Sequence, residues 1–214
     1  MKRTYVKPTG NTQSTFAGCG EQPGYTEVKY GKPFIGPAGQ GLDDCLKMAR
    51  IIKSEMYLTN VIKDLDNPLP HYIDLQSNGR FSISREGELY IQQLGEELSN
   101  LNLNSIVAFG NIPLIALTNR VGITKWRGSV IESTLVPGLK VIPTFHPATF
   151  IPPKFNFLNK PLIVDDLILA YKESKFKEIR QVARKVRIQP TFNESMSYLE
   201  YCHNLGLKRN NDRY

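Results

Sequence analysis

Apolar positions along this chain fall into short blocks that alternate between two periods, and the alternation predicts the elements. Residues 13–19 read as a short buried strand. Residues 40–53 carry Leu42, Cys45, Leu46, Ala49 and Ile52 on one helical stripe. Residues 56–62, MYLTNVI, read as a second strand and end their polar step at Thr59 and Asn60. A polar insertion over 64–85 follows, then a helix over 85–100 with Ile91, Leu94, Leu98 and Leu101 in phase. SIVAFG, residues 105–110, is a third buried strand, and Asn111 with Pro113 opens a short helix to Asn119. Residues 123–128 read as a connector, and KVIPTF, 140–145, as a fourth strand that delivers His146 and Pro147. A closing helix is expected over 164–179, and residues 1–12 read as a loosely held lead-in. Strand–helix alternation of this kind predicts an α/β chain: a three-layer α/β/α sandwich around a central, mostly parallel four-stranded sheet.

One stretch departs from both periods. Residues 18–39, from the end of the first strand to the start of the first helix, are dense in glycine and proline. Such density implies unusual backbone dihedrals close to something. Between a strand and a helix of an α/β sheet, that is where a binding site is built. The same stretch could serve as a long surface loop, but Glu21, Glu27 and Phe34 are uncommon choices for a connector. Glu21, Asn60 and His146 each follow the carboxyl end of an expected strand, the edge along which open parallel sheets bind ligands. Taken singly, Glu21 could be a loop or cap carboxylate, Asn60 could close a turn, and His146 could be a packed or surface imidazole. Their shared placement makes them a candidate constellation.

Composition narrows the class. At 214 residues with 41% apolar side chains, the chain can bury a core of its own. No apolar run approaches the roughly 20 residues that span a bilayer. Charges at the amino terminus have no apolar segment behind them, so no secretory signal is expected. Three cysteines, Cys19, Cys45 and Cys202, form no CxxC and no pairing framework. A reducing, cytoplasmic setting is the simplest expectation. The formal net charge of +7 admits a polyanion partner, though part of it is local. Residues 172–187 hold seven Lys or Arg against two Glu, and could be a solvated helix face, a linker or a nucleic-acid contact. A boundary is expected near 179: residues 180–190 read as a basic connector and 191–206 as a new helix capped by Asn193 and stopped at Gly206. The phrase RIQPTFNESMSYLEYC is similar to the entry into the exonuclease domain of family A DNA polymerases, which would make 180–214 the start of a further domain and a polymerase or other replication protein a candidate partner.

GEQPGYTEVKYGKPFIGPAG, residues 20–39, resembles the first motif of the family-four uracil-DNA glycosylases, GE-x-PG-x-x-E-x-x-x-G-x-PF-[VI]-G-x-AG. TNVIK at 59–63 is similar to that family's TNVVK, IVAFG at 106–110 to its third core strand, ITKWRG at 123–128 to its ITK-x-RG, and PTFHPA at 143–148 to its final motif. Order and spacing agree over roughly residues 14–178.

The resemblance implies a DNA-repair enzyme that hydrolyses the bond between uracil and deoxyribose, with uracil-containing DNA as partner, acting as a monomer. The target base must be flipped out of the stack. Carried over residue by residue, Glu21 would position or activate water and stabilise the sugar cation, and His146 would donate to uracil O2. Asn60 would read O4 and N3–H, and Phe34 would stack on the base. Glu27 would stand where the methyl group of thymine would go. Backbone around Gly20 and Gln22 would let the chain approach the base. Pro147, Ala148 and Phe150 would enter the minor groove, and Lys125 and Arg127 would grip phosphates.

The chain departs from the family in two places. Family four generally holds an iron–sulfur cluster on four cysteines: a pair near the amino terminus, one just after TNVVK, and one in the following helix. Here Asp64 follows Lys63 and no cysteine lies between Cys45 and Cys202, so no metal site and no cofactor are expected. Gln22 in GEQPG also occurs in a relative that becomes covalently linked to DNA through a histidine in a basic loop. The corresponding insertion here carries His71 in the non-basic context LPHYID. A catalytically silent DNA-binding module and a covalent uracil-DNA trap are therefore the alternatives to hydrolysis.

Overall fold

The computed structural model describes residues 5–180 and 191–211. The chain divides into two compact units, Met1–Ile179 and Arg180–Tyr214.

In the first unit the elements run β1 (Thr9–Gly10), β2 (Phe16–Gly20), α1 (Tyr25–Tyr30), α2 (Pro37–Ala49), β3 (Tyr57–Asn60), α3 (Leu69–Tyr72), β4 (Ile73–Leu75), β5 (Phe81–Ile83), α4 (Arg85–Ser99), β6 (Ser105–Phe109), α5 (Asn111–Thr118), α6 (Ile123–Trp126), β7 (Ile131–Glu132), β8 (Lys140–Thr144) and α7 (Asn159–Glu173). The main sheet has six strands in the order β1-β3-β2-β6-β8-β7. Its four central strands are parallel, and β1 and β7 add antiparallel edges. The parallel four-stranded centre is the one read from the sequence. The edges were missed because two-residue strands carry no alternation to read.

Burial of β2, β6 and β8 on both faces explains why they read as apolar runs. Successive side chains of β6 enter opposite core layers. Ile106 and Ala108 pack with Leu94, Leu98, Ile112 and Ile115 of α4 and α5. Val107 and Phe109 pack with Leu42, Leu46, Ile163 and Leu167 of α2 and α7. That period of two puts a helical layer on each side of the sheet.

Several boundaries moved. Residues 5–12, the described part of the expected lead-in, are not free: β1 pairs with β3, and buried Val6 donates its N–H to the Lys63 carbonyl at 2.7 Å. The polar insertion contains α3 and the β4–β5 hairpin, and the 123–128 connector contains the turn α6. The glycine-rich stretch contains α1, whose C-cap is Gly31 in the left-handed region at φ 67°. The closing helix α7 starts earlier than expected because Pro161 sits in its first turn, where its missing N–H costs nothing. It ends at Ser174, and the chain beyond is held by buried Lys140, whose Nζ donates to the carbonyls of Phe176 (2.5 Å) and Glu178 (3.3 Å).

The second unit contains α8 (Phe192–Asn211). Its start is capped by Thr191, not Asn193: Glu194 N–H donates to Thr191 Oγ1 at 3.4 Å and Thr191 N–H to Glu194 Oε2 at 3.0 Å. It runs through Gly206 without stopping. Residues 181–190, most of the basic connector, lie outside the described residues. Among the described residues no helix is long and apolar enough to cross a membrane.

Candidate active site

The carboxyl ends of β2, β3, β6 and β8 form one rim. Register places Gly20 opposite Asn60 and Phe109 opposite Thr144. The ladder continues past the strands: Val61 and Ile62 N–H donate to Gly20 and Glu21 carbonyls at 2.9 and 3.0 Å, and Gly110 N–H to Thr144 at 2.9 Å. Glu21 and His146 therefore leave β2 and β8, and Asn60 ends β3, at similar height along one edge of the sheet.

Two glycines mark how closely these groups converge. At Gly110, with φ 98°, a Cβ would collide with the Glu21 carboxylate and reach His146 Cβ at 3.5 Å. At Gly20, a Cβ would collide with Asn60 Oδ1 and meet the Phe34 ring at 2.8 Å. Both positions need glycine because site side chains occupy that space. A cavity of about 420 Å³ opens over the rim, lined by Gln22, Glu27, Phe34, Asn60 and His146, with Tyr25 at its mouth. Its size suits one small planar ligand with neighbouring groups.

Electrostatics separate the titratable groups. Burial pushes Glu21 up to about 7, against a backbone hydrogen bond from Ile112 at the start of α5 and the charge of Lys154. Burial pushes His146 down to about 4, with Lys154 adding to the effect. His146 Nδ1 accepts the Ala148 N–H at 3.1 Å. At neutral pH the ring is uncharged, so its proton sits on Nε2, available as a donor.

The glycine-rich loop is stapled by Glu27. Its carboxylate accepts the N–H groups of Gly24 and Phe34, both at 2.5 Å, and burial raises its pKa despite them. Phe34 is held in the left-handed region at φ 56°, its carbonyl accepts Lys53 Nζ at 2.7 Å, and its ring lies 5.6 Å from Phe109. Gly39 is required because any side chain there would strike the Phe34 carbonyl.

Other residues singled out in the sequence lie elsewhere. Phe150 is 4% exposed, packed against Gly41, and Pro147 is buried beside it; neither can enter a groove from there. Ala148 is partly buried in the same turn. The exposed apolar side chains of this segment are Phe155, Phe157 and Leu158, at 53%, 64% and 79%. Arg127 is committed to a fork with Asp166 (2.7 and 3.1 Å) and to the Leu162 carbonyl, fastening α6 to α7. Lys125 is exposed, its Nζ 5.1 Å from the Trp126 ring. His71 pairs with Glu86 at 2.8 Å on the surface and does not line the site cavity. Lys154 was missed. It acts on both Glu21 and His146 from the loop after β8, and its only signal was a lone lysine in PPKF shortly after the HPA motif. No group of three or more His, Cys, Asp or Glu among the described residues is placed to hold a metal ion.

Comparison with known proteins identifies the family. The sequence profile of the Uracil DNA glycosylase superfamily matches residues 8–167. A type-4 uracil-DNA glycosylase of Thermotoga maritima is 31% identical over 160 residues, 73% of this chain and 76% of its own length. One of Archaeoglobus fulgidus is 28% identical over 196 residues, covering 89% and 86%. One of Pyrobaculum aerophilum is 27% identical over 135 residues, covering 60% and 64%. The chain belongs to the uracil-DNA glycosylase superfamily and is similar to its type-4 members.

Proposed function

We propose that the protein removes uracil from DNA by hydrolysing the N-glycosidic bond of deoxyuridine, leaving an abasic site. The reading rests on Asn60 and His146 lining one cavity walled by Phe34, with the Glu21 carboxylate close to His146 at Gly110.

The deoxyuridine is swung out of the stack into the cavity, at a cost of a few kcal/mol. Phe34 packs on the base. The Asn60 amide donates to O4 and accepts from N3–H, a pattern that cytosine reverses. As the C1′–N1 bond breaks, its electron pair moves onto the uracil ring and O2, where the neutral His146 Nε2–H donates. Positive charge develops on the sugar, next to the Glu21 carboxylate. Water attacks C1′ and passes its proton to Glu21, whose pKa near 7 suits it to that exchange. Glu27, by fixing Phe34 and Gly24, shapes the wall that excludes the methyl group of thymine.

On the DNA side, Phe155 and Phe157 are the exposed aromatics that would fill the gap, and Lys125 is the lysine that would meet phosphate, making binding salt-dependent. In this reading the protein works as a monomer, and the exposed Phe192, Met196 and Leu199 of α8 form the stripe on which a replication protein would dock.

Incubation with uracil-containing single- and double-stranded oligonucleotides tests the proposal. Free uracil and an alkali-sensitive strand support it. Binding without product means a silent DNA-binding module. A heat-stable adduct that disappears in His71→Ala means a covalent trap. Either of the last two results overturns hydrolysis.

A further inference from the structure

The segment after β3 is held by a cluster of side chains that the reaction does not use. Asp64 is 2% exposed, and both its carboxylate oxygens are taken by phenols: Tyr72 donates to Oδ1 at 2.7 Å and Tyr90 donates to Oδ2. Asp66 N–H adds a bond to Oδ1 at 3.2 Å. Tyr72 comes from α3 and Tyr90 from α4, and their rings meet edge to face at 5.5 Å. One carboxylate therefore ties three elements together. The turn it fixes presents two carbonyl oxygens to the site loop. Gln22 Nε2 donates one proton to Asp64 O at 3.0 Å and the other to Asn67 O at 2.7 Å. Gln22 is the residue next to Glu21.

The iron–sulfur cluster implied by the type-4 resemblance does not fit these residues. Four thiolates are needed and the chain has three cysteines. Cys19 and Cys45 are buried in opposite core layers, and Cys202 lies in the second unit. At the position just after Lys63, where that family places a cysteine, stands Asp64, saturated by hydroxyls.

We propose that this carboxylate–bis-phenol clasp replaces metal ligation as the fastener of residues 63–67, and that Asp64, Tyr72 and Tyr90 are positioning residues that act on Glu21 through the Gln22 amide. Glutamine suits position 22 because a single planar nitrogen offers two protons to two carbonyls. Glutamate has the same length and would set two acceptors against two acceptors.

The activity arm of the test rests on the glycosylase reading; the exchange arm does not. In the full chain, solvent exchange of the Gln22 side-chain amide is measured by NMR, with the signal assigned by its loss in Gln22→Ala. The expected result is exchange at least about tenfold slower than that of exposed Gln40, a slowing lost in Tyr72→Phe/Tyr90→Phe while β2 and β6 amides stay protected. Exchange as fast as Gln40 in the native protein, or slowing that survives both substitutions, overturns the proposal. If the double variant fails to fold, Gln22→Glu decides. It should keep its fold and lose about tenfold in kcat with KM changed less than about twofold, as expected for a misplaced catalytic group. A folded Gln22→Glu with native kcat overturns the proposal. A native protein that releases no uracil would sink the glycosylase reading and leave the exchange result to judge the clasp.

Discussion

Two cavities flank the strand end at β3, and the carboxylates beside them are hydrogen-bonded differently. In the cavity of about 310 Å³, lined by Tyr5, Asp64, Tyr72 and Tyr90, the Asp64 oxygens accept two phenols and a backbone N–H. His146 lines the cavity of about 420 Å³, and beside it Glu21, packed against Gly110, is partly buried with a backbone donor from Ile112. The first carboxylate accepts three hydrogen bonds. The second pays for its burial with a pKa near 7, which is what proton exchange with water at neutral pH requires. The number of hydrogen-bond donors distinguishes the carboxylate that ties the fold together from the one proposed for chemistry.

The largest expected effect would break this contrast if it failed. Glu21→Ala and His146→Ala should each lower uracil release by about 10²-fold or more while the protein stays folded, because each removes a group that meets charge only in the transition state. Rates within a few-fold of native in either variant would remove the chemical role of the rim.

The next effect is on stability and needs no DNA. Glu21 has a folded pKa near 7 against an ordinary 4.5. The protonated folded form is favoured below about 4.5, and that advantage is lost as pH rises through 7. Glu21→Gln should therefore be more stable than the native protein at pH 8, by up to about 3 kcal/mol, and equal to it at pH 4.5 or below. Denaturant midpoints at the two pH values check this; an equal difference at both would contradict the assigned burial penalty.

A smaller effect is kinetic. Uracil release should rise with pH through about 7 as Glu21 ionises. Lys154 lowers the Glu21 pKa, so Lys154→Met should move that limb upward by about half a pH unit. An unmoved limb would detach the lysine from the site. Smallest of all, Phe155→Ala or Phe157→Ala should weaken binding to uracil-containing duplex by about 1 kcal/mol, read by titration at fixed salt.

Much of the fold was legible because the central strands are buried on both faces and so read as apolar runs. The placement of Glu21, Asn60 and His146 at one sheet edge was legible for the same reason: Glu21 and His146 come after such runs and Asn60 ends β3. What escaped notice was held by long-range contacts. The clasp joins Asp64 to Tyr90 across 26 positions, and no local pattern marks a pair of that kind. Phe150 and Arg127 were assigned to DNA from motif position, whereas packing against Gly41 and pairing with Asp166 claim them for the fold. Lys154 carries no periodicity, and only its place after β8 reveals its reach.

The central claim is that three side chains from three strand ends meet one extruded uracil. The most direct measurement is a crystal structure of Glu21→Gln bound to a uracil-containing oligonucleotide. The account predicts the base in the cavity beside Phe34, with the Asn60 amide and His146 Nε2 each about 3 Å from uracil oxygens. A base still stacked in the duplex, or bound out of reach of either side chain, would contradict it.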